Sequence, residues 1–362
     1  MFCDFDAFQR GTKMSQNENP SVLIGELGDG NRVIGSISLN APEKLNAFDI
    51  DMLVQIAQAL DAWKKDDRIA AILIHSPHGK AFCAGGDVKS IVVSMKDRTA
   101  EEVADEFFTT EYFIDHEIHE YPKPIVCWAH GITMGGGIGL MNGAKFRIVN
   151  ETTVMAMPEI SIGLFPDVGS SYFLNLFSHG LGLYLGLTGH RFSGHDAIDW
   201  EMADYFIPQS MKHKVVTDLS KLEWTDNPGA NGKLIEKYLQ DVCDVTPERD
   251  IETYDYLAGM NYEDLCDELR ENIYFAEGSR LSRRLIFELL KWGQGKTLRE
   301  CFEMEWVLAQ NCVAKGDFKE GVRALLIDKD KLPSWGTVGD FEAYFKWDGA
   351  NTLAKKFDEA GY

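Results

Sequence analysis

Basic residues are scarce in this chain. Its 362 residues set 36 Lys and Arg against 57 Asp and Glu, a formal net charge of −21. A surface so acidic repels phosphate backbones and anionic lipid, which argues against nucleic-acid and membrane partners. It leaves room only for a local basic patch that could hold a phosphorylated ligand. No apolar run reaches the ~18 residues that a spanning helix needs. The seven cysteines are scattered, odd in number and without a CxxC pair. That pattern is poor evidence for disulfides or zinc and fits a reducing compartment. Also missing are the phosphate signatures GxGxxG and GxxxxGK[ST], the zinc helix HExxH and the nucleophile elbow GxSxG. The segment His116-Glu117-Ile118-His119-Glu120 comes near the zinc pattern, but position 120 is Glu, and it reads as a solvated helix face. No metal site is expected.

What is present is globular. Hydrophobic residues make up 45% and charged residues 26%, and a chain of this size builds its core without staples. Residues 1–20 are mixed and polar, unlike a signal or transit peptide. They read as a flexible leader, and the expectation that follows is a cytoplasmic protein. Short β-rich runs at 21–27 and 33–39 flank Gly28-Asp29-Gly30-Asn31, a hairpin signal. Residues 49–64 repeat apolar side chains at helical spacing, 70–74 form a buried strand, and 88–95 and 101–118 read as helices. Strands follow at 125–129, 144–149 and 153–156. The alternation predicts an α/β core with largely parallel pairing over 21–205. From 206 to 362 the texture is helical, with amphipathic helices at 281–290 and 297–313 and an acidic stretch near 241–256.

Three segments carry candidate chemistry. Ala81-Phe82-Cys83-Ala84-Gly85-Gly86-Asp87 and the run 130–139 are glycine-rich strand exits. Glycine there allows positive φ and close approach of a ligand to the backbone. Two such loops can aim two amide N–H groups at one oxygen, an oxyanion hole. They can equally be tight turns that need small residues for packing. The third segment, 156–169, sets Glu159 and Asp167 in a mostly apolar run. Apolar surroundings would raise a carboxyl toward the range useful for acid–base work. Two surface acids beside prolines is the plain alternative. Cys83 has no basic neighbour in sequence and reads as a small buried thiol.

Together these segments resemble the crotonase (enoyl-CoA hydratase/isomerase) superfamily. The stretches that carry the resemblance are GITMGGGIGL (131–140), MPEISIGLFPDVG (157–169), LTGHRFSG (187–194) and DFKEGVRALLIDKD (317–330). They are most similar to its 3-hydroxyisobutyryl-CoA hydrolase branch, and the resemblance runs from about 21 to 335. It implies a crotonase-like ββα spiral core with a C-terminal helical region folded over the active site. It implies an acyl-CoA substrate, with coenzyme A as part of that substrate and no separate cofactor. It maps the oxyanion hole onto the amides of Gly86 and Gly136, catalysis onto Glu159 and Asp167, and substrate contact onto Glu111. The hydratases carry a further glutamate three residues after the middle glycine, and here position 139 is Gly. That departure favours thioester hydrolysis, with valine breakdown as the implied setting, over hydration of a C=C bond. A hydratase or isomerase, and a silent acyl-CoA-binding protein, are the competing readings. Lys44, Lys80 and Lys89 are candidates for the coenzyme A phosphates. Arg323 is placed in the tail, where structural docking is the preferred reading. A monomer or a homo-oligomer both fit the altered tail.

Overall fold

The computed structural model describes residues 20–178, 180–243 and 254–362. The expected leader, apart from Pro20, and most of the acidic stretch 241–256 lie outside the described residues.

Hydrophobic patterning builds the first sheet. Strands β1 (Val22–Leu27) and β2 (Val33–Leu39) form the expected antiparallel hairpin. Parallel to β2 run β3 (Ile69–His75), β5 (Ile125–Trp128), β7 (Phe146–Val149) and β10 (Tyr205–Phe206), in the order β1-β2-β3-β5-β7-β10. Every residue of β2 and β3 is buried, as parallel strands covered on both faces should be. Successive side chains point to opposite layers. Ile72, Ile74, Ile125 and Cys127 join the larger core on the front face, whereas Ala71, Leu73, Val126 and Trp128 join a separate core on the rear.

Helices α1 (Ile50–Lys65), α2 (Val88–Ser94) and α3 (Ala100–His119) lie on the front. Asp49 caps α1 by accepting from the Met52 amide. Thr99 and Glu102 close a reciprocal capping box on α3. The helical region after β10 divides its work. Val215, Val216, Leu219, Ile235 and Leu239, from helices Lys212–Leu219 and Pro228–Val242, complete the rear core. The helices Arg280–Gly293 and Leu298–Lys315 pack into the front core instead.

A second sheet stands at the strand exits. It joins β4 (Ala81–Cys83), β6 (Ile132–Met134) and β8 (Val154–Ala156) in parallel, with β9 (Phe192–Ser193) antiparallel at its edge. The sequence reading treats 81–83 and 132–134 as loop. Strands of three residues are too short to show a period, and only pairing with each other defines them. Helix α4 (Gly136–Asn142) starts directly after β6.

Candidate active site

The glycine loops meet where the second sheet ends. The first is pinned by its neighbours: the Phe48 amide donates to Gly85 O at 3.0 Å and the Asp87 amide to Phe48 O at 2.8 Å. Gly85 takes φ +101° and Gly135 φ +50°, conformations that favour glycine. A side chain at Gly85 would sit 3.1 Å from Met134 O and 3.3 Å from the Gly136 amide nitrogen, so the two loops touch. Gly136 opens α4, and first-turn amides have no partner within their helix. Among the described residues neither the Gly86 nor the Gly136 N–H has a backbone or side-chain acceptor.

Carboxyl groups fill the space that the missing glycine side chains leave. A methyl group on Gly136 would overlap Glu111 Oε1, and one on Gly86 would lie 4.0 Å from the same atom. One on Gly135 would meet Glu159 Oε1 at 2.8 Å. Glu159 begins the short 3₁₀ turn Glu159–Ile162 after Pro158. Asp167 follows in the FPDVG turn, and its Oδ2 accepts from the Tyr112 hydroxyl at 2.9 Å. Glu111, Glu159 and Asp167 are buried, at 3%, 6% and 5% exposure, so the expected site residues come together and surface acids are not what they are.

Like charges in an apolar setting resist ionisation. Burial, reinforced by Asp167, Asp115 and Glu159, pushes the Glu111 carboxyl well above its ordinary range. Burial and the Asp167 charge do the same to Glu159. Burial lifts Asp167 to about 7, against the downward pull of the Tyr112 hydrogen bond.

Two further acids belong to the cluster, and the sequence reading did not find them. Asp115 lies one helical turn beyond Glu111 on α3, is 1% exposed, and has no hydrogen-bond partner at either oxygen among the described residues. Its Oδ2 lies 2.7 Å from where a side chain at Gly139 would begin, and the Val168 Cβ is equally close. The i, i+4 spacing of Glu111 and Asp115 was the available signal. Glu305, on the helix Leu298–Lys315, is fully buried and receives the Gly169 and Ser171 amides at 2.7 and 2.8 Å. Between Asp167 and Gly169, Val168 holds φ +55°. For a β-branched residue that conformation costs of order 1–3 kcal/mol, which the surroundings must over-determine.

One expectation is overturned. His116 and Glu117 are not on a solvated face: they are 4% and 5% exposed. The His116 ring lies tilted against Phe357 at 4.5 Å and edge-on to Tyr362 at 4.8 Å, and Glu117 pairs with Lys64 at 3.4 Å. The C-terminal helix Thr352–Ala360 covers them, a contact more than two hundred residues away in sequence.

The cationic candidates separate. Lys44 is engaged by Asp49 at 2.5 Å and Asp87 at 3.6 Å. Arg323 is bound by Glu320, Asp328 and Asp330, which keeps it in the tail. Lys80 lines a cavity of about 380 Å³ with His78, Asn46 and Pro42. Lys89 is exposed. Burial pushes the Cys83 thiol up, and its sulfur accepts from the Gly85 amide at 3.3 Å, as a packed rather than reactive thiol should. Among the described residues no group of three His, Cys, Asp or Glu side chains could hold a metal ion.

The fold and this geometry define an α/β protein of crotonase type, with a carboxyl cluster set against two unpaired amides. The enoyl-CoA hydratase/isomerase family model matches residues 34–340, and the chain belongs to that family. Its curated relatives include the mitochondrial 3-hydroxyisobutyryl-CoA hydrolase of Homo sapiens, 35% identical over 96% of both chains. The enzyme of the same name from Danio rerio is 35% identical over 90% of this chain and 87% of its own. Among solved structures, a carnitinyl-CoA dehydratase from Mycobacterium thermoresistibile superposes with a TM-score of 0.79, at 29% identity over 92% of this chain and 99% of that one. An enoyl-CoA hydratase from Rhodobacter sphaeroides gives 0.74, at 31% identity over 90% and 94%. The crotonase-like fold expected from the sequence is thereby shown. The relatives' names place them in mitochondria, which lends no support to a cytoplasmic location for this chain. Among the described residues no helix is long and apolar enough to cross a membrane.

Proposed function

We propose that the protein hydrolyses a 3-hydroxyacyl-CoA thioester, with 3-hydroxyisobutyryl-CoA as its preferred substrate. The observation that carries the reading is the pair of unpaired amides at Gly86 and Gly136 with Glu111 packed against the same two glycines, Glu159 against the adjoining Gly135, and Asp167 close enough for its charge to act on both acids. The names of the curated relatives agree with it.

In this mechanism the thioester oxygen accepts hydrogen bonds from the two amide N–H groups, which stabilise the negative charge that builds there as the carbonyl carbon becomes tetrahedral. Glu159, which burial favours in its protonated form at rest, releases that proton to solvent and attacks the carbon as the carboxylate. The C–S bond breaks, coenzyme A leaves as its thiolate, and an acyl-Glu159 anhydride remains. Water then adds to the acyl carbonyl, Glu159 departs as carboxylate, and the proton released by water neutralises the thiolate. Tyr112 steadies Asp167, and Asp167 and Glu111 hold the β-hydroxyl and orient the acyl chain. Lys80, which lines its cavity, and the exposed Lys89 remain candidates for a phosphate of coenzyme A. No separate cofactor takes part.

The hydratase reading survives as the second one, because the solved relatives superposed above include an enoyl-CoA hydratase. A panel of acyl-CoA substrates with thiol detection separates the two. Wild type should release coenzyme A from 3-hydroxyisobutyryl-CoA. Glu159→Gln and Asp167→Asn should each lose about 10²–10⁴-fold while staying folded, the usual loss for an acid–base group. Loss of the crotonyl-CoA enoyl absorbance without free thiol would sink the hydrolase reading. An unchanged rate in either variant would remove that residue from the mechanism.

A further inference from the structure

The turn that carries Asp167 is held from outside its own segment. Glu305 Oε2 accepts from the Gly169 amide at 2.7 Å, and Oε1 accepts from the Ser171 amide at 2.8 Å and the Ser171 hydroxyl at 2.6 Å. Its partners lie 134 and 136 residues earlier in the chain. Three donors converge on a fully buried carboxyl, and among the described residues no cation pairs with it. Cations are what usually anchor a buried acid. Here backbone and hydroxyl donors alone surround it, and they belong to the residues just after Asp167.

What those bonds restrain is the left-handed Val168. With Val168 at φ +55° and Gly169 at φ +83°, Asp167 turns toward Tyr112 while the Val168 side chain seats over Gly139. The Ser170 amide closes the same turn by donating to Asp167 O at 3.0 Å. Released from Glu305, the Gly169 and Ser171 amides would have no acceptor, and the valine would relax toward negative φ. Asp167 would then lose its aim without any change in its own chemistry.

We propose that Glu305 is a positioning residue, a clamp by which the C-terminal helix Leu298–Lys315 fixes Asp167 and so sets the preference for hydroxylated acyl groups. The inference rests on the hydrolase reading and on the role given there to Asp167. It adds a residue that contacts no substrate.

The test compares two thioesters that differ only in the β-hydroxyl, 3-hydroxyisobutyryl-CoA and isobutyryl-CoA, through their kcat/KM ratio. Glu305→Gln keeps the volume but places an NH₂ donor against an N–H. It should shrink the ratio at least 10-fold, mostly through kcat, with less than a 3-fold change for isobutyryl-CoA. Glu305→Asp should recover part of the preference, and Ser171→Ala, which removes one of three donors, should lose 2- to 5-fold of it. If Glu305→Gln slows both thioesters alike or leaves the ratio intact, Glu305 is only structural and the inference is overturned. If Glu305→Gln does not fold, an unchanged ratio in Ser171→Ala overturns it equally. Asp167→Asn separates the two failures. A ratio preserved in Asp167→Asn overturns the role of Asp167 and the clamp with it. A ratio lost there but kept in Glu305→Gln and Ser171→Ala overturns the clamp alone.

Discussion

Both faces of the main sheet bury polar groups, but on opposite terms. On the rear, His75 Nε2 shares hydrogen bonds with Ser38 Oγ at 2.8 Å and Ser36 Oγ at 3.2 Å. Beside it Lys212 donates to Ser76 O at 2.5 Å and lies 6.0 Å from the centre of the Trp128 ring. These groups differ in kind and most of their polar atoms find partners. On the front, Glu111, Asp115, Glu159, Asp167 and Glu305 are all acids, and Asp115 and one oxygen of Glu159 have no partner among the described residues. A mixed cluster whose bonds are made stabilises a fold. A like-charged cluster with open valences destabilises it, and persists where the strain serves chemistry. The rear cluster has the character of architecture, and the front one has the character of the site proposed above.

The comparison breaks most visibly in the pH dependence of stability. Asp167 holds its proton to about 7 in the folded protein, against 3.8 for the ordinary side chain. Between those values the unfolded chain has released a proton that the native state keeps, so this group's contribution to stability falls as pH rises through that window. The full difference corresponds to about 4 kcal/mol. Asp167→Asn removes it. Urea unfolding at pH 5, 6, 7 and 8 should show the variant gaining on wild type as pH rises, then running level above about 8. The buried histidines act in the opposite sense, with stability lost as pH falls from 6.5, His116 and His130 being drawn down to about 4. They are common to both proteins and cancel in the difference. Parallel curves would mean that Asp167 ionises as it does in water.

The rear cluster should answer in the other way. Ser38→Ala removes the shorter of the two bonds to His75 in a fully buried setting. A loss of about 1 kcal/mol in unfolding free energy is expected, with turnover per folded molecule unchanged. Altered turnover would show that the two faces are coupled and that the division drawn between them is wrong.

Long periodic elements were legible in the sequence because their signals are local. Helix α1, expected over 49–64, forms at Ile50–Lys65, and β3, expected over 70–74, forms at Ile69–His75. Strands β4 and β6 were hidden because three-residue strands show no period, and the strands they pair with are each other and β8. The site was half legible. Glu159, Asp167 and Glu111 stand in motifs, and the glycine runs pointed to a close approach. What approaches them is partly acid: Gly135, Gly136 and Gly139 are small because Glu159, Glu111 and Asp115 fill the space beside them. Close packing, the plainer reading of the glycines, is therefore what the structure shows at these positions. Glu305 carried no signal and Asp115 only its helical spacing from Glu111, because an acid in a helix reads as exposed until the partner that covers it is known. His116 and Glu117 were misplaced for the same reason, being sealed by Phe357 and Tyr362 at the far end of the chain.

The finest test of the front cluster is Asp115→Asn. Asn keeps the shape that sits against Gly139 and Val168 but cannot ionise. Asp115 is one of the neighbours whose charge holds the Glu111 proton in place, after burial itself and Asp167. Removing a like charge lets a neighbouring carboxyl ionise at lower pH. Glu111 in the variant should therefore titrate below its wild-type position, by less than Asp167→Asn would shift it, since Asp167 is the larger of the two influences. Carbon-detected NMR of the Glu111 side-chain carboxyl reads this directly in the substrate-free protein. An upward shift, or none, would show that Asp115 stays neutral throughout and fills space only, and the contrast between the two faces would then rest on Glu111, Glu159 and Asp167 alone.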